Sequence, residues 1–291
     1  MAGYTPGQLL GGRQVTLGSL QLGAVDAGGV AWTVARDGLK GWSGAAVRTQ
    51  YSDREADHGA WAGPTYLGAR VITLAGTIVA PSLAALDAAA EQLFAAAALS
   101  DTTLTVAESI PKQATVRRSG EVLLEYDTDR VARYSIMLTA ADPRRYSTTL
   151  QSQSAGLPQT SGGITLPIIL PLTITATTAS GTITLANQGS ISTRPVLTVT
   201  GPCTGGFTIV AARPSGVVTQ QTYSDTLGPG DTLVIDAQAR TVRLNGQASR
   251  RRYLSGAWPE ILPQSQLTFS WSCPNFAAAA LLTGTARSAW M

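Results

Sequence analysis

Residues 70–97 read RVITLAGTIVAPSLAALDAAAEQLFAAA, and two kinds of structure meet inside them. Arg70–Val79 is rich in β-branched and apolar residues (Val71, Ile72, Leu74, Ile78) and is expected to be a strand. Ala80-Pro81-Ser82 then punctuates the chain, with Ser82 placed to cap a helix. From there Leu83, Leu86, Ala90, Leu93 and Ala97 recur at three- and four-residue steps and form one stripe of a helix. Asp87, Glu91 and Gln92 fall off that stripe, and most remaining positions are Ala, the best helix former. Ser100-Asp101 is the expected end. With no Lys or Arg on it, this helix is expected to pack on a sheet and not on a membrane surface.

Strand signals surround the helix on both sides. Before it, Arg13–Leu22 alternates apolar with small or polar residues, Val30–Val34 is a short strand, and Arg36-Asp37-Gly38 is a turn. Residues 48–63 hold Asp53, Arg54, Glu55, Asp57 and His58 and read as an exposed loop of mixed charge. After the helix, Thr103–Val106, Gln113–Arg118, Glu121–Tyr126 and Arg130–Ala140 are expected strands of an antiparallel meander. Ser119-Gly120 and Asp127-Thr128-Asp129 are its expected turns. Residues 1–146 therefore form one β domain with a single Ala-rich helix.

Residues 147–163 are Ser, Thr, Gln and Gly with little apolar content and are expected to be a linker. The apolar stretch Ile164–Ile174, broken by Pro167 and Pro171, reads as strand and linker. Short strands then follow at Gly181–Leu185, Val196–Thr200, Phe207–Ala211, Thr232–Asp236, Thr241–Leu244 and Leu267–Trp271. Strong turn signals at Gly228-Pro229-Gly230-Asp231 and Asn245-Gly246 separate them. Regular short strands without helices imply that residues 164–291 are a β-sandwich, so the fold class is mainly β.

Composition narrows the function. The 291 residues are 44% hydrophobic and only 13% charged, which excludes a disordered chain and suits a protein that buries surface against neighbours. The net charge of +3 is too weakly basic, and the run Arg250-Arg251-Arg252 too short, to imply nucleic-acid binding. The start, Met1-Ala2-Gly3-Tyr4, has no basic region followed by an apolar core, so no secretory signal is expected. Nor does any apolar stretch reach the roughly 20 residues of a membrane span. Cys203 and Cys273 are not a disulfide framework; free buried thiols are the expectation, with one bridge between them as the alternative.

Catalytic constellations are missing. His58 is the sole histidine and stands beside Asp57, but a triad also needs an activated nucleophile and an oxyanion hole. No Gly-x-Ser-x-Gly elbow and no phosphate-binding Gly-Lys-Ser/Thr loop occur. Among the acids of the second half, Asp231 and Asp236 flank a strand and are expected to cap turns. No enzymatic activity, metal or cofactor is expected. Trp271 shares a strand face with Leu267 and Phe269 and is expected in the core, which leaves Trp258 as a weak candidate for a sugar contact.

Several short marks, in a fixed order, carry a resemblance. They are Arg36-Asp37-Gly38-Leu39-Lys40-Gly41-Trp42, His58-Gly59, Arg70–Ile78, the Ala-rich helix and Asp142-Pro143-Arg144-Arg145-Tyr146. Asn187-Gln188-Gly189, Arg194-Pro195, Gly230–Asp236, Arg240–Gly246 and Ala286-Arg287-Ser288-Ala289-Trp290 follow. Together they resemble the distal tail proteins of long-tailed siphophages, the siphovirus tail component family. The resemblance implies a ring-forming N-terminal domain and a galectin-like C-terminal sandwich facing outward. It implies a homo-oligomer of six copies at the tail tip of a virion, assembled in the host cytoplasm. The implied partners are the tail tube, the tape measure protein, a tail-associated lysin or hub and fibre proteins. DNA would pass through the lumen without specific binding, and no membrane is involved. Asp53, Arg54, Asp57 and His58 are then expected at subunit contacts. The alternative is a receptor- or carbohydrate-binding module of the tail tip.

Overall fold

The computed structural model describes residues 4–97, 99–161, 177–179 and 181–291. Two compact units divide the chain, Met1–Thr148 with Met291, and Thr149–Trp290.

The first unit is an antiparallel sheet with one helix. Its strand order is Leu20–Leu22, Val15–Leu17, Thr102–Val106, Lys112–Thr128, Val131–Ala140, Arg70–Val79, Ala31–Trp32 and Ala24–Val25. Arg70–Val79 runs in unbroken register with Val131–Ala140, from Arg70 opposite Ala140 to Val79 opposite Val131. Ile72, Leu74 and Ile78 alternate onto its inner face and are buried with Tyr134, Ile136 and Leu138 of the neighbouring strand. The helix Leu83–Ala96 closes this core with Leu86, Ala89 and Leu93, and the Ser82 hydroxyl accepts from the Ala85 amide at 3.3 Å, capping it as expected. Leu83 departs from the expectation: it sits in the first turn, beyond the packed stripe, and is half exposed. The helix also stops at a C-cap on Ala97, ahead of Ser100-Asp101.

Ser119-Gly120 is not a turn. Lys112–Thr128 is one 17-residue strand, and its register on Val131–Ala140 slips between Arg118 and Val122. A bulge absorbs the extra residues, and the bend it gives the strand is the physical equivalent of the interruption read in the sequence.

The second unit is a β-sandwich. One sheet has the order Gln151–Gly156, Leu281–Ala286, Val196–Thr200, Thr232–Asp236, Thr241–Leu244 and Ala248–Ser249. The other has Thr182–Asn187, Ser265–Ser272, Phe207–Arg213, Gly216–Tyr223 and Leu254–Gly256. Leu197, Val199, Leu233, Ile235 and Leu282 from the first face Ile183, Leu185, Ile209, Leu267 and Phe269 from the second in one buried cluster. Trp271 lies in that core, 2% exposed, and its indole donates to the Gly156 carbonyl at 2.9 Å. Asp231 and Asp236 cap turns: Asp231 accepts from the Gly228 amide, and Asp236 from the amides of Gln238 and Ala239.

The expected linker at 147–163 is corrected by this sheet. Gln151–Gly156 is an edge strand paired along its length with Leu281–Ala286, and Gln159–Ser161 pairs with Thr177–Ala179. Strand pairing is a backbone property, and here polar side chains support it. Gln151 donates to the Ala186 carbonyl at 2.7 Å and accepts from its amide at 3.0 Å, and Gln153 accepts from the Thr184 amide. Two glutamines thus satisfy the free edge of Thr182–Asn187, so the stretch needs no apolar residues to be ordered. The rest of the expected linker, and Ile164–Ile174, lie outside the described residues.

Candidate assembly interface

Residues 48–63, expected as a loop, are part of an antiparallel arm. Val47–Arg48 pairs with Tyr66–Leu67, and Tyr51–Asp53 pairs with Ala60–Ala62. The bonds from the Gly63 amide to the Gln50 carbonyl and from the Gly68 amide to the Ala46 carbonyl join the two pairings. No residue from Ser43 to Ala69 is buried. A two-stranded hairpin without a core is marginal in water, and this one also exposes large apolar groups. Val47, Tyr51, Trp61 and Tyr66 are each between 58% and 66% exposed. Ser52 stands opposite Trp61 and Tyr51 opposite Ala62, so the two aromatic rings leave opposite faces of the arm.

The four charged or polar residues expected at subunit contacts gather at the tip. The Arg54 guanidinium lies 4.5 Å from the Trp61 ring centre, with Nη1 at 3.7 Å from Asp57 Oδ2. Both partners are solvent-exposed, so this pair contributes little to stability on its own. The Arg54 amide donates to the Gly59 carbonyl and closes the turn. The Asp57 carboxylate accepts from the His58 backbone amide at 2.7 Å. That contact shapes the turn and does not orient the imidazole as a base. An open hollow of about 610 Å³ lies beside the tip, lined by Ser52, Asp53, Arg54, Glu55, Asp57 and Trp61.

The structure adds residues that the charge-based reading passed over. Tyr51, Trp61 and Tyr66 dominate the surface of the arm, and their signal in the sequence is three large aromatics inside a stretch with no apolar period. Trp258 is half buried against the second core, with the Arg251 guanidinium 5.1 Å from its ring centre, so one ring face is already covered.

The marks that carried the resemblance also meet in space. Arg70, at the start of its strand, is fully buried. Its Nε donates to the Pro143 carbonyl at 2.8 Å, and its Nη1 to the carbonyls of Trp42 at 2.6 Å and Gly41 at 3.1 Å. Burial, with Arg145 nearby, pulls this guanidinium down to about 10, and it remains protonated at neutral pH. Gly41 turns with φ +82°, and a Cβ there would fall 1.9 Å from the Val71 carbonyl. Arg145 lies over Trp42 at 5.6 Å and 3.8 Å from Glu108. Burial works to raise the Glu108 carboxyl, but hydrogen bonds from Lys112 and Trp42, with the charges of Lys112 and Arg145, outweigh it and hold the group ionised.

In the second unit Asn187 plays the equivalent part. Its Nδ2 donates to the carbonyls of Ile191, Ile261 and Leu262, and its Oδ1 accepts from the amides of Gly189 and Ala289. Each of these residues braces segments within its own unit.

No protein-family model and no curated protein matches the chain. Solved structures do. Over 96% of this chain and 100% of that one, at 10% identity and a TM-score of 0.64, it superposes on the SPP1 Dit (gp 19.1) protein, described as a paradigm of the hub adsorption apparatus in Gram-positive-infecting phages. A chain of the phage P2 baseplate, in its activated conformation with Ca, matches over 94% of this chain and 98% of its own, at 10% identity and a TM-score of 0.50. The chain therefore shares the fold of these proteins over most of its length.

Proposed function

We propose that this chain is a distal tail protein, a structural hub at the tip of a long phage tail and not an enzyme. The observation that carries the reading is the bare arm of residues 46–68, on a chain with the fold of phage hub and baseplate proteins. Subunits that continue a tube must contact each other head to tail and close by rotation. An arm with aromatic rings on both faces and a two-sign tip is suited to such contacts, because the apolar groups gain from burial and the charges set the register. The first unit forms the ring, six copies closing around a channel for DNA and the tape measure protein. The second unit, read as a galectin-like sandwich, faces outward toward the tip proteins. The tail tube, a tail-associated lysin or hub and fibre proteins are its proposed neighbours. Asp53, Arg54, Asp57 and His58 lie at the subunit contact, with Tyr51 and Trp61 supplying most of its energy.

The test is a chain carrying Arg54→Glu and Trp61→Ser, supplied in place of the native one during tail assembly. Neither residue is buried, so the melting temperature of the purified chain should move by no more than about 1 °C. Loss of an interface aromatic costs about 2 kcal/mol per contact, roughly 30-fold in affinity, and the cost recurs at every contact of the ring. The expected result is a folded chain that is not incorporated, with no complete tails. A double variant that enters tails at the native level would remove the arm from the interface.

A further inference from the structure

Cys203 and Cys273, 70 positions apart, hold their sulfurs 3.2 Å from each other. Both backbones are fixed. The Cys203 amide and carbonyl each bond to Leu227, and the strand Ser265–Ser272 ends one residue before Cys273 with Ser272 opposite Thr208. The Asn275 side chain donates to the Thr204 carbonyl at 3.0 Å and ties the two loops a second time. A covalent bond at about 2.05 Å needs an approach of only about 1 Å, within reach of small side-chain rotations. Cys203 is fully buried and Cys273 partly exposed, so a reagent can reach one member of the pair.

We infer that Cys203 and Cys273 are a redox site: the free thiols close into a reversible disulfide when the folded chain meets a small-molecule disulfide. The Cys273 thiol donates to Cys203 Sγ, which holds Cys203 below the usual thiol range and pushes Cys273 up. Cys273 is the member that a reagent can reach, with Cys203 Sγ directly behind it. Cys273 loses its proton to solvent and, as the thiolate, attacks one sulfur of oxidised glutathione, so that a mixed disulfide forms as the glutathione S–S bond breaks. The first glutathione thiolate leaves and takes a proton from water. Cys203 then loses its proton to solvent and attacks Cys273 Sγ, and the second glutathione departs as a thiol. Two protein thiols are oxidised to one disulfide, and one glutathione disulfide is reduced to two thiols. The closed loop staples the segment after Gly201 to the segment after Ser272, at one end of the sandwich. The reduced pair belongs to a thiol-rich interior and the bridged pair to an oxidising exterior, and this chemistry does not depend on how the chain assembles.

The experiment uses the full chain, purified reduced and then equilibrated in glutathione buffers from fully reduced to fully oxidised. The expected result is loss of both titratable thiols without denaturant, a mass decrease of about 2 Da for the two hydrogens removed, and full reversal by dithiothreitol. Closing a loop of this length should raise the melting temperature of the second unit on the order of 10 °C. Cys273→Ser should abolish the shift while leaving the reduced melting temperature within about 2 °C, because position 273 is not fully buried. Two thiols that stay titratable in oxidised buffer would overturn the proposal, as would a bridge that forms only in denaturant or only between two chains.

Discussion

Replacing Arg70 by Met should unfold the first unit on the order of 10 °C earlier. Met keeps the length and fills the space, so the loss isolates the guanidinium. Its two donor atoms satisfy the carbonyls of Gly41, Trp42 and Pro143, and the Trp42 carbonyl, whose bond is buried, would be left without a donor once Arg70 is gone. Leaving buried acceptors unpaired, together with losing charge-assisted bonds, costs about 3–5 kcal/mol, and a unit of this size loses a few degrees per kcal/mol. Arg70→Lys should recover part of the stability, because an ammonium keeps the charge but cannot fork between chain segments that approach from two sides. Calorimetry of the full chain is the measurement. An Arg70→Met chain whose melting temperature stays within about 1 °C of native would show that the guanidinium is not what ties these segments together.

Gly189→Ala should be at least as damaging to the second unit. A Cβ at Gly189 would fall 1.7 Å from the Ala289 carbonyl oxygen and 2.4 Å from its carbon. Those are backbone atoms, so no side-chain rotation relieves the clash. Moving either segment breaks the bonds from Gly189 and Ala289 to Asn187 Oδ1 and from the Ile191 amide to the Ala289 carbonyl. The expected cost is more than about 4 kcal/mol, read as a fall in the urea midpoint of the second unit or as failure to fold. Ala substituted at Gly246, where nothing lies within 4 Å of the added carbon, is the matched control and should pay only for its positive φ of 74°. A Gly189→Ala chain as stable as that control would contradict the packing described.

Where burial leaves a period in the sequence, the structure was legible. Ile72, Leu74 and Ile78 on a strand, Leu86 and Leu93 on a helix behind a serine cap, and Leu267, Phe269 and Trp271 on one strand face all follow from side chains sorted between core and solvent. Where backbone or polar groups carry the order, no period exists to read. Gln151–Gly156 is held by its ladder and by glutamine amides, so it resembles a linker. The arm buries neither face, so its strands carry no alternation and resemble a loop. Arg70 resembles any surface arginine until the chain brings Gly41, Trp42 and Pro143 around it. The candidate contact was legible in its charged tip, Arg54 and Asp57, and not in its aromatic flanks, because exposed aromatics acquire meaning only when nothing in the fold covers them.

A ring at the tail tip can be checked by counting and placing this chain in intact particles. Purified tails, imaged by cryo-electron microscopy with an antibody against the chain and quantified by mass spectrometry against the tube protein, give both numbers at once. Six copies per particle are expected, all at the end of the tail away from the head, with the 46–68 arm of each copy buried against its neighbour. One or two copies per tip, copies spread along the tube, or particles that lack the chain would contradict it.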